Sequence, residues 1–339
     1  MSNSEPASSA VASATASSSV ESVSSASPSS SQTASSLGLG DHLFRGTIRA
    51  LNLRLVVALC TDLCQDAAQR HKASPVAACA LGRGLLSGVL LATLTKTEER
   101  VTIQIQANGP LRGLTIDAFG DGLVRGFPHE SQAGLGADMS KRQRLAPFLG
   151  RDGVVHVVRD IGVRDRYEGQ VSFVTAEVDE DVEAYLRDSE QIPSALGCEL
   201  IMDTSGQILC AGGVLVQSMP DSPPETKQHL REVQHLLRGG DFYDLLKTRP
   251  QSAKDLARFI AGKYESSLEF IDQRPLRFQC RCDRGRIVAM LRGMALTDLD
   301  ELIAEGKAEV TCNYCAVRYE VGRDELVELR QARHGREQN

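Results

Sequence analysis

The sequence predicts an α+β fold: an antiparallel-sheet core domain with helices, a helical middle linker region, and a small C-terminal domain organised around cysteine. Three observations carry this. Apolar spacing is helical before about residue 95 and switches to period two from Val101, and helices and strands come in runs rather than in strict alternation. The breakers Asp221-Ser222-Pro223-Pro224 then set off a stretch of short, charged helical segments. Further on, Cys280-Arg281-Cys282 is answered by Cys312-Asn313-Tyr314-Cys315, two close cysteine pairs separated by Asp283 to Thr311.

Residues 1–40 are expected to be a disordered Ser/Ala-rich tail. Roughly half of Met1 to Ser36 is serine and no Lys or Arg precedes Arg45, so the segment cannot bury enough apolar surface to offset the entropy of ordering. It lacks the arginines of a mitochondrial presequence and the basic start and apolar run of a secretory signal.

Residues 41–222 are expected to form the core domain. Asp41 to Leu55 holds a first strand, and Val56 to His71 reads as a helix on the spacing of Leu59, Leu63 and Ala67. Ser74-Pro75 is a helix start, the serine capping and the proline at the first helical position. It opens the longest apolar run, Pro75 to Leu94, which carries Gly84 and Gly88 at GxxxG spacing. Arg83 near its middle and the lack of a second such run favour a buried helix of a soluble protein over a membrane span. Val101, Ile103 and Ile105 alternate with Thr102, Gln104 and Gln106 as a half-buried strand. Turns at Asn108-Gly109-Pro110 and Gly120-Asp121-Gly122 continue it as a meander through Leu111–Phe119 and Leu123–Phe127. Gly153 to Asp160 and Tyr167 to Val174 read as strands. Asp181 to Gln191 reads as a helix whose acidic start (Asp179, Glu180, Asp181) suits the helix dipole. Leu200–Met202 and Ile208–Met219 close the domain as a hairpin.

Residues 223–267 read as a helical, redox-sensitive linker. Leu230, Val233, Leu236 and Leu237 form one apolar stripe, and Leu256, Phe259 and Ile260 another. The region has too little mass for a core of its own, so it must lie against another part of the chain, from which it could be shed. Residues 268–339 are expected to form the C-terminal domain. Leu268 to Phe278 runs extended into the first cysteine pair. Helices follow at Ile287–Leu291 and at Thr297–Ala304, the latter capped by Thr297 and ended by Gly306. Strands flank the second pair, and a last helix covers Asp324–Leu329.

Four thiolates in two close pairs are how proteins usually build a tetrahedral zinc site, which makes Cys280, Cys282, Cys312 and Cys315 candidate ligands. Four reduced core cysteines and a catalytic dithiol are the other readings of the pattern. Arg281, Arg284 and Arg286 crowd the first pair, either as ordinary surface charge or as cations that favour thiolate over thiol. An oxidant attacking one sulfur can close Cys280–Cys282 and Cys312–Cys315 locally and expel the metal. The thin module would then melt, and the middle region would lose its cover.

Other functions are disfavoured. A net charge of −6, 4% aromatic residues and no Trp argue against a nucleic-acid binder. Nine cysteines without an export signal imply a reducing, cytoplasmic compartment. There is no G-x-x-x-x-G-K-[ST] and no G-x-S-x-G, and Gly82-x-Gly84 and Gly120-x-Gly122 are not dinucleotide fingerprints, so an enzyme is not expected. His229 and His235 read as solvated. Cys60, Cys64, Cys79, Cys198 and Cys210 read as core packing.

The cysteine pairs are joined by Tyr185-Leu186-Arg187-Asp188-Ser189-Glu190-Gln191-Ile192-Pro193, by Ala211-Gly212-Gly213 followed by Gln217-Ser218-Met219-Pro220, and by Arg166-Tyr167-x-Gly169. Together these resemble the heat shock protein 33 family, redox-regulated bacterial holdase chaperones, from about residue 42 to 330. The resemblance implies one zinc ion on Cys280, Cys282, Cys312 and Cys315 in an inactive reduced state. It implies Cys280–Cys282 and Cys312–Cys315 disulfides in an oxidised, dimeric state that holds unfolding client proteins without ATP. Leu230, Val233, Leu236 and Leu237 are the candidate client-binding residues, with neither nucleic acid nor membrane as partner. The chain departs from the family in its Ser-rich extension and in Asp283-Arg284-Gly285 after the first pair. A zinc-ribbon nucleic-acid module and a thiol oxidoreductase using Cys312 and Cys315 are the alternative functions.

Overall fold

A computed structural model of the chain describes residues 40–94, 99–137, 141–160, 166–248, 250 and 252–337. The expected tail lies outside these residues except for Gly40. The chain opens with β1 (His42–Ile48) and β2 (Leu53–Leu59), followed by α1 (Thr61–Arg70) and α2 (Pro75–Ala92). The meander β3 (Arg100–Ala107), β4 (Gly113–Phe119) and β5 (Leu123–Pro128) comes next, then the single turn α3 (Ala146–Leu149) and the pair β6 (Gly153–Asp160) and β7 (Arg166–Ser172). Helix α4 (Val178–Asp188) leads into the hairpin β8 (Ser194–Met202) and β9 (Ile208–Ser218).

Helix α2 is the centre of the core. Ser74 Oγ accepts the Ala77 N–H and Pro75 occupies the first turn, as the sequence indicates. Every residue from Val76 to Ala92 is buried. Among the described residues α2 is the one helix long and apolar enough to cross a membrane, and 94% of its apolar window is buried inside the protein. It lies between two sheets, of order β10 (Leu268–Pro275)-β1-β2-β9-β8 and β11 (Arg277–Phe278)-β5-β4-β3-β6-β7, whose inward faces share one apolar cluster with it. Gly84 and Gly88 give α2 its close approach to β4, since a Cβ at either would run into Leu114 or Ile116. Arg83 is fully buried and ion-paired with Glu177, at 2.7 Å, and with Asp179, so its charge is matched rather than stranded.

The outer face of the first sheet is covered by the middle region: α5 (Glu225–Gly239), α6 (Asp241–Lys247) and α7 (Ala253–Ala261). The chain then returns as β10 (Leu268–Pro275), antiparallel to β1, and β11 (Arg277–Phe278), parallel to β5. Residues 268–278, grouped by sequence with the cysteine domain, thus complete both core sheets. The remaining elements are α8 (Arg284–Arg292), α9 (Leu296–Glu305), the hairpin β12 (Lys307–Thr311) and β13 (Arg318–Gly322), and α10 (Arg323–Glu337). They share a small apolar cluster of Ile287, Leu291, Leu299, Ala308, Val321, Leu326 and Leu329.

Several expectations are corrected. The helix read over Val56–His71 is strand to Leu59 and helix only from Thr61. Because β2 is covered on one face by α2 and on the other by α7, it is apolar from Leu55 to Leu59 and shows no period. Asp179 and Asp181 do more than face a helix dipole: Asp179 pairs with Arg83, and Asp181 accepts the N–H groups of Val174 and Thr175. Thr297 lies inside α9, which has no side-chain cap. Phe259 points outward at 52% exposed, whereas Leu256 and Ile260 are buried. His235 is exposed as expected, but His229 is buried, edge-on to Tyr264. Its neutral form is favoured by burial, which lowers its pKa.

Candidate metal and redox centre

The first cysteine pair is positioned by the core. The short parallel pairing of Arg277 with Leu123 and Phe278 with Val124 is extended by the Gln279 N–H, which donates to the Val124 carbonyl at 3.0 Å. Cys280 and Cys282 therefore leave the edge of the second sheet in a fixed direction. Asp283 caps α8 by accepting the Arg286 N–H at 2.9 Å, which turns the chain away after the second sulfur. The second pair sits in the knuckle between β12 and β13. There the Ala316 N–H donates to the Cys312 carbonyl at 2.8 Å and the Cys312 N–H to the Val317 carbonyl at 2.9 Å. Ala316 adopts φ 57°, the left-handed turn that folds Cys315 back toward Cys312.

These two devices bring all four Sγ atoms within 4.8 Å of one another. The near contacts run between the pairs, Cys280 to Cys312 at 3.6 Å and Cys282 to Cys315 at 3.3 Å. A tetrahedron with metal–sulfur bonds of about 2.3 Å has edges of about 3.8 Å, so the quartet fits one tetrahedral zinc ion with little movement. Burial opposes ionisation of Cys280, but the Cys282 N–H and the surrounding sulfurs outweigh it and bring its thiol down to about 7. Burial raises Cys312 and Cys315. Cys280 thus ionises ahead of Cys312 and Cys315, as expected of a crowded thiol cluster that shares protons. The Tyr319 hydroxyl lies 3.1 Å from Cys282 Sγ and can donate to a thiolate there.

The arginines that the sequence leaves open as surface charge or as partners of the sulfurs pair with other groups. Arg281 stacks on Phe119 at 4.1 Å, Arg284 forms a bidentate pair with Glu325, and Arg286 faces Asp283. The cation that reaches the sulfurs is Arg125 of β5, with Nη1 3.8 Å from Cys280 Sγ. Nothing in the local sequence marks it, because it arrives through strand pairing across 155 residues. His71 Nε2 lies 3.2 Å from the Tyr314 carbonyl and ties α1 to the knuckle.

The candidate client-binding stripe is covered. Leu230, Val233 and Leu237 are buried and Leu236 half-buried, packed with Phe242, Leu246, Leu256 and Ile260 on β1, β2, β8 and β9. The cover of the middle region is therefore the first sheet rather than the cysteine module, whose apolar residues form their own cluster. The two regions are linked through the chain itself: α7 packs on β1 and β2, β10 runs along β1, and β11 carries the first cysteines.

Comparison with known proteins places this architecture. The chain matches the family model described as Hsp33 protein over residues 41–322. It is 35% identical over 293 residues to the 33 kDa chaperonin of Synechocystis sp., covering 86% of this chain and 96% of that one. It is 32% identical over 300 residues to the 33 kDa chaperonin of Geobacter sulfurreducens, covering 86% and 95%. The crystal structure of the 33 kDa chaperonin (heat shock protein 33 homolog) from Thermotoga maritima superposes with a TM-score of 0.77 at 25% identity, over 88% of this chain and all of that one. With two sheets around a buried helix, a four-cysteine cluster at the C-terminal end and a family match across 282 consecutive residues (41 through 322), the chain belongs to the Hsp33 family.

Proposed function

We propose that this chaperone of the Hsp33 family is an ATP-independent holdase switched on by oxidation of its cysteine centre. In the reduced state Cys280, Cys282, Cys312 and Cys315 hold one zinc ion as thiolates, and the ion supplies the cross-link that the module's thin apolar cluster cannot. Two equivalents of peroxide remove four electrons from the four thiolates. Two S–S bonds form, Cys280–Cys282 and Cys312–Cys315, and the peroxide O–O bonds break to give four hydroxides. No thiolate donor then remains for the metal. Structural zinc contributes about 10 kcal/mol or more of apparent folding energy in small domains, so the module opens. Strand β11, with only two paired residues, has little to hold it to β5. The disturbance passes along β10 to β1 and frees α5–α7, and the exposed stripe around Leu230, Val233, Leu236 and Leu237 takes up unfolding client chains. The oxidised form pairs with a second copy. Residues 223–267 act as the switching linker, and the part of 268–339 beyond β11 acts as the sensor.

The observation that carries this reading is the combination of a metal-compatible sulfur quartet with a helical region whose apolar face is largely covered in the same structure. The test is zinc content and free thiols before and after peroxide with mild heating, alongside an aggregation assay on a thermally unfolding client. Loss of one zinc and four thiols as protection appears supports the switch. Zinc retained with no protection in either state returns the cysteines to a structural role.

A further inference from the structure

We propose that Arg125 is the outer-sphere cation of the cysteine centre, a positioning residue through which the core sheet holds the reduced centre and helps it keep its metal. The inference rests on the reading above that the four cysteines bind zinc. Its geometry is complete on the core side. Asp117, directly opposite Arg125 across β4 and β5 and 1% exposed, accepts at Oδ2 from Arg125 Nε at 3.1 Å and Nη2 at 2.7 Å. Its other oxygen accepts from Thr102 Oγ1 at 2.7 Å. That fork fixes the guanidinium plane and leaves Nη1 to face Cys280 Sγ at 3.8 Å.

The other half of the centre meets the same cation. Tyr314, between Cys312 and Cys315, lays its ring 4.0 Å from the Arg125 guanidinium, and Phe127 meets that ring edge-on at 5.3 Å. One arginine from the core therefore touches the first cysteine pair through a sulfur and the second through the aromatic residue of its turn. A zinc ion with four thiolates carries a net charge of −2, and a fixed cation beside one sulfur stabilises that charge as outer-shell partners do at metal sites. Disulfide sulfur is neutral and offers Nη1 little. Asp117 keeps Arg125 paired in either case, so undocking the centre leaves no stranded charge in the sheet. The contact is strong with thiolate and weak with disulfide, which makes the docking itself dependent on redox state.

The test uses the full-length, reduced, zinc-loaded chain and follows zinc transfer to a chromogenic chelator, without oxidant and then with peroxide. Arg125→Gln is expected to give up zinc on the order of 10- to 100-fold more readily, the range seen when outer-shell partners are removed. Arg125→Lys should recover part of that loss by keeping the charge. Arg286→Gln, close in sequence but facing Asp283, should match wild type. Because Arg125→Gln takes the bidentate partner from Asp117 and leaves it only Arg100, at 3.9 Å, as a cation, the double variant Arg125→Gln/Asp117→Asn repeats the measurement with the buried carboxylate neutralised. Wild-type zinc retention in both Gln variants overturns the role of Arg125, as does an equal loss in Arg286→Gln. A wild-type chain that takes up no zinc sinks the reading of the centre, and this inference with it.

Discussion

Two sets of cysteines in one chain meet opposite surroundings. Cys60, Cys64, Cys79, Cys198 and Cys210 are buried in the core, the first four within the cluster around α2 and Cys210 on the opposite face of the first sheet. Burial above all raises the thiols of Cys60, Cys64 and Cys198, and it pushes Cys79 up to about 12. Cys280, Cys282 and Cys312 are only partly covered, and Cys280 comes down to about 7. Residue type is the same in both sets; what differs is that Cys280 has the Cys282 N–H and neighbouring sulfurs to offset its burial, while Cys315, though in the same cluster, is buried and raised like the core thiols. Where the core is thick, sulfur is inert filling. Where the apolar cluster is built on seven buried residues, the proposed centre makes sulfur both the fastening and the weak point.

Removing the metal should sharpen this contrast most. A strong chelator under reducing conditions is expected to cost the module on the order of 10 kcal/mol of apparent stability. Hydrogen exchange should show α8–α10, β12 and β13 losing protection while β3–β6 keep theirs; a module that stays protected would break the contrast. Next in size is Leu237→Ala, at a position 2% exposed where α5 crowds Gly197 of β8. About 2–5 kcal/mol of local packing should go, and the reduced protein should begin to protect a client from aggregation. Unchanged protection alongside a lowered urea midpoint would move the client surface elsewhere.

Thiol labelling compares the two sets directly when it is read immediately after the metal is stripped, before the module opens. Deprotonation makes the nucleophile, so the Cys280 rate should rise with pH and reach half its maximum near pH 7. That puts it about tenfold or more ahead of an ordinary thiol at that pH. The five core cysteines should stay unlabelled until the protein unfolds, and core labelling at a comparable rate would undo the distinction. The smallest effect is expected from Arg284→Ala. It removes an exposed bidentate pair between α8 and Glu325 of α10, worth less than about 1 kcal/mol. Thermal melts of the zinc-loaded protein should barely move.

The cysteine spacing, the meander and the buried helix were legible in the sequence because each is a local pattern. Ser74-Pro75 announced α2, and the alternation from Val101 announced β3. Strand β2 was not legible, since Val56 to Leu59 is apolar on both faces and period cannot separate a doubly covered strand from a helix. Arg125 was invisible for a different reason: its partner is set by the parallel pairing of β11, a contact no window of sequence contains. The arginines beside the first cysteine pair drew the eye by proximity along the chain, yet their side chains turn to Phe119, Glu325 and Asp283. The burial of His229 likewise depends on α5 lying flat on the first sheet and on Tyr264 arriving from beyond α7.

The two strands that lead into the cysteines are very unequal. Strand β10 pairs along the whole length of β1, from Leu268 opposite Ile48 to Pro275 opposite His42, while β11 pairs through two residues. If β11 parts first and β10 remains, the opened module stays on a leash a few residues long, anchored beside the site it left. Its sulfurs are then confined near Arg125 at a high effective concentration. Re-docking on reduction becomes a local event, independent of protein concentration and sparing the chain a new search for its place.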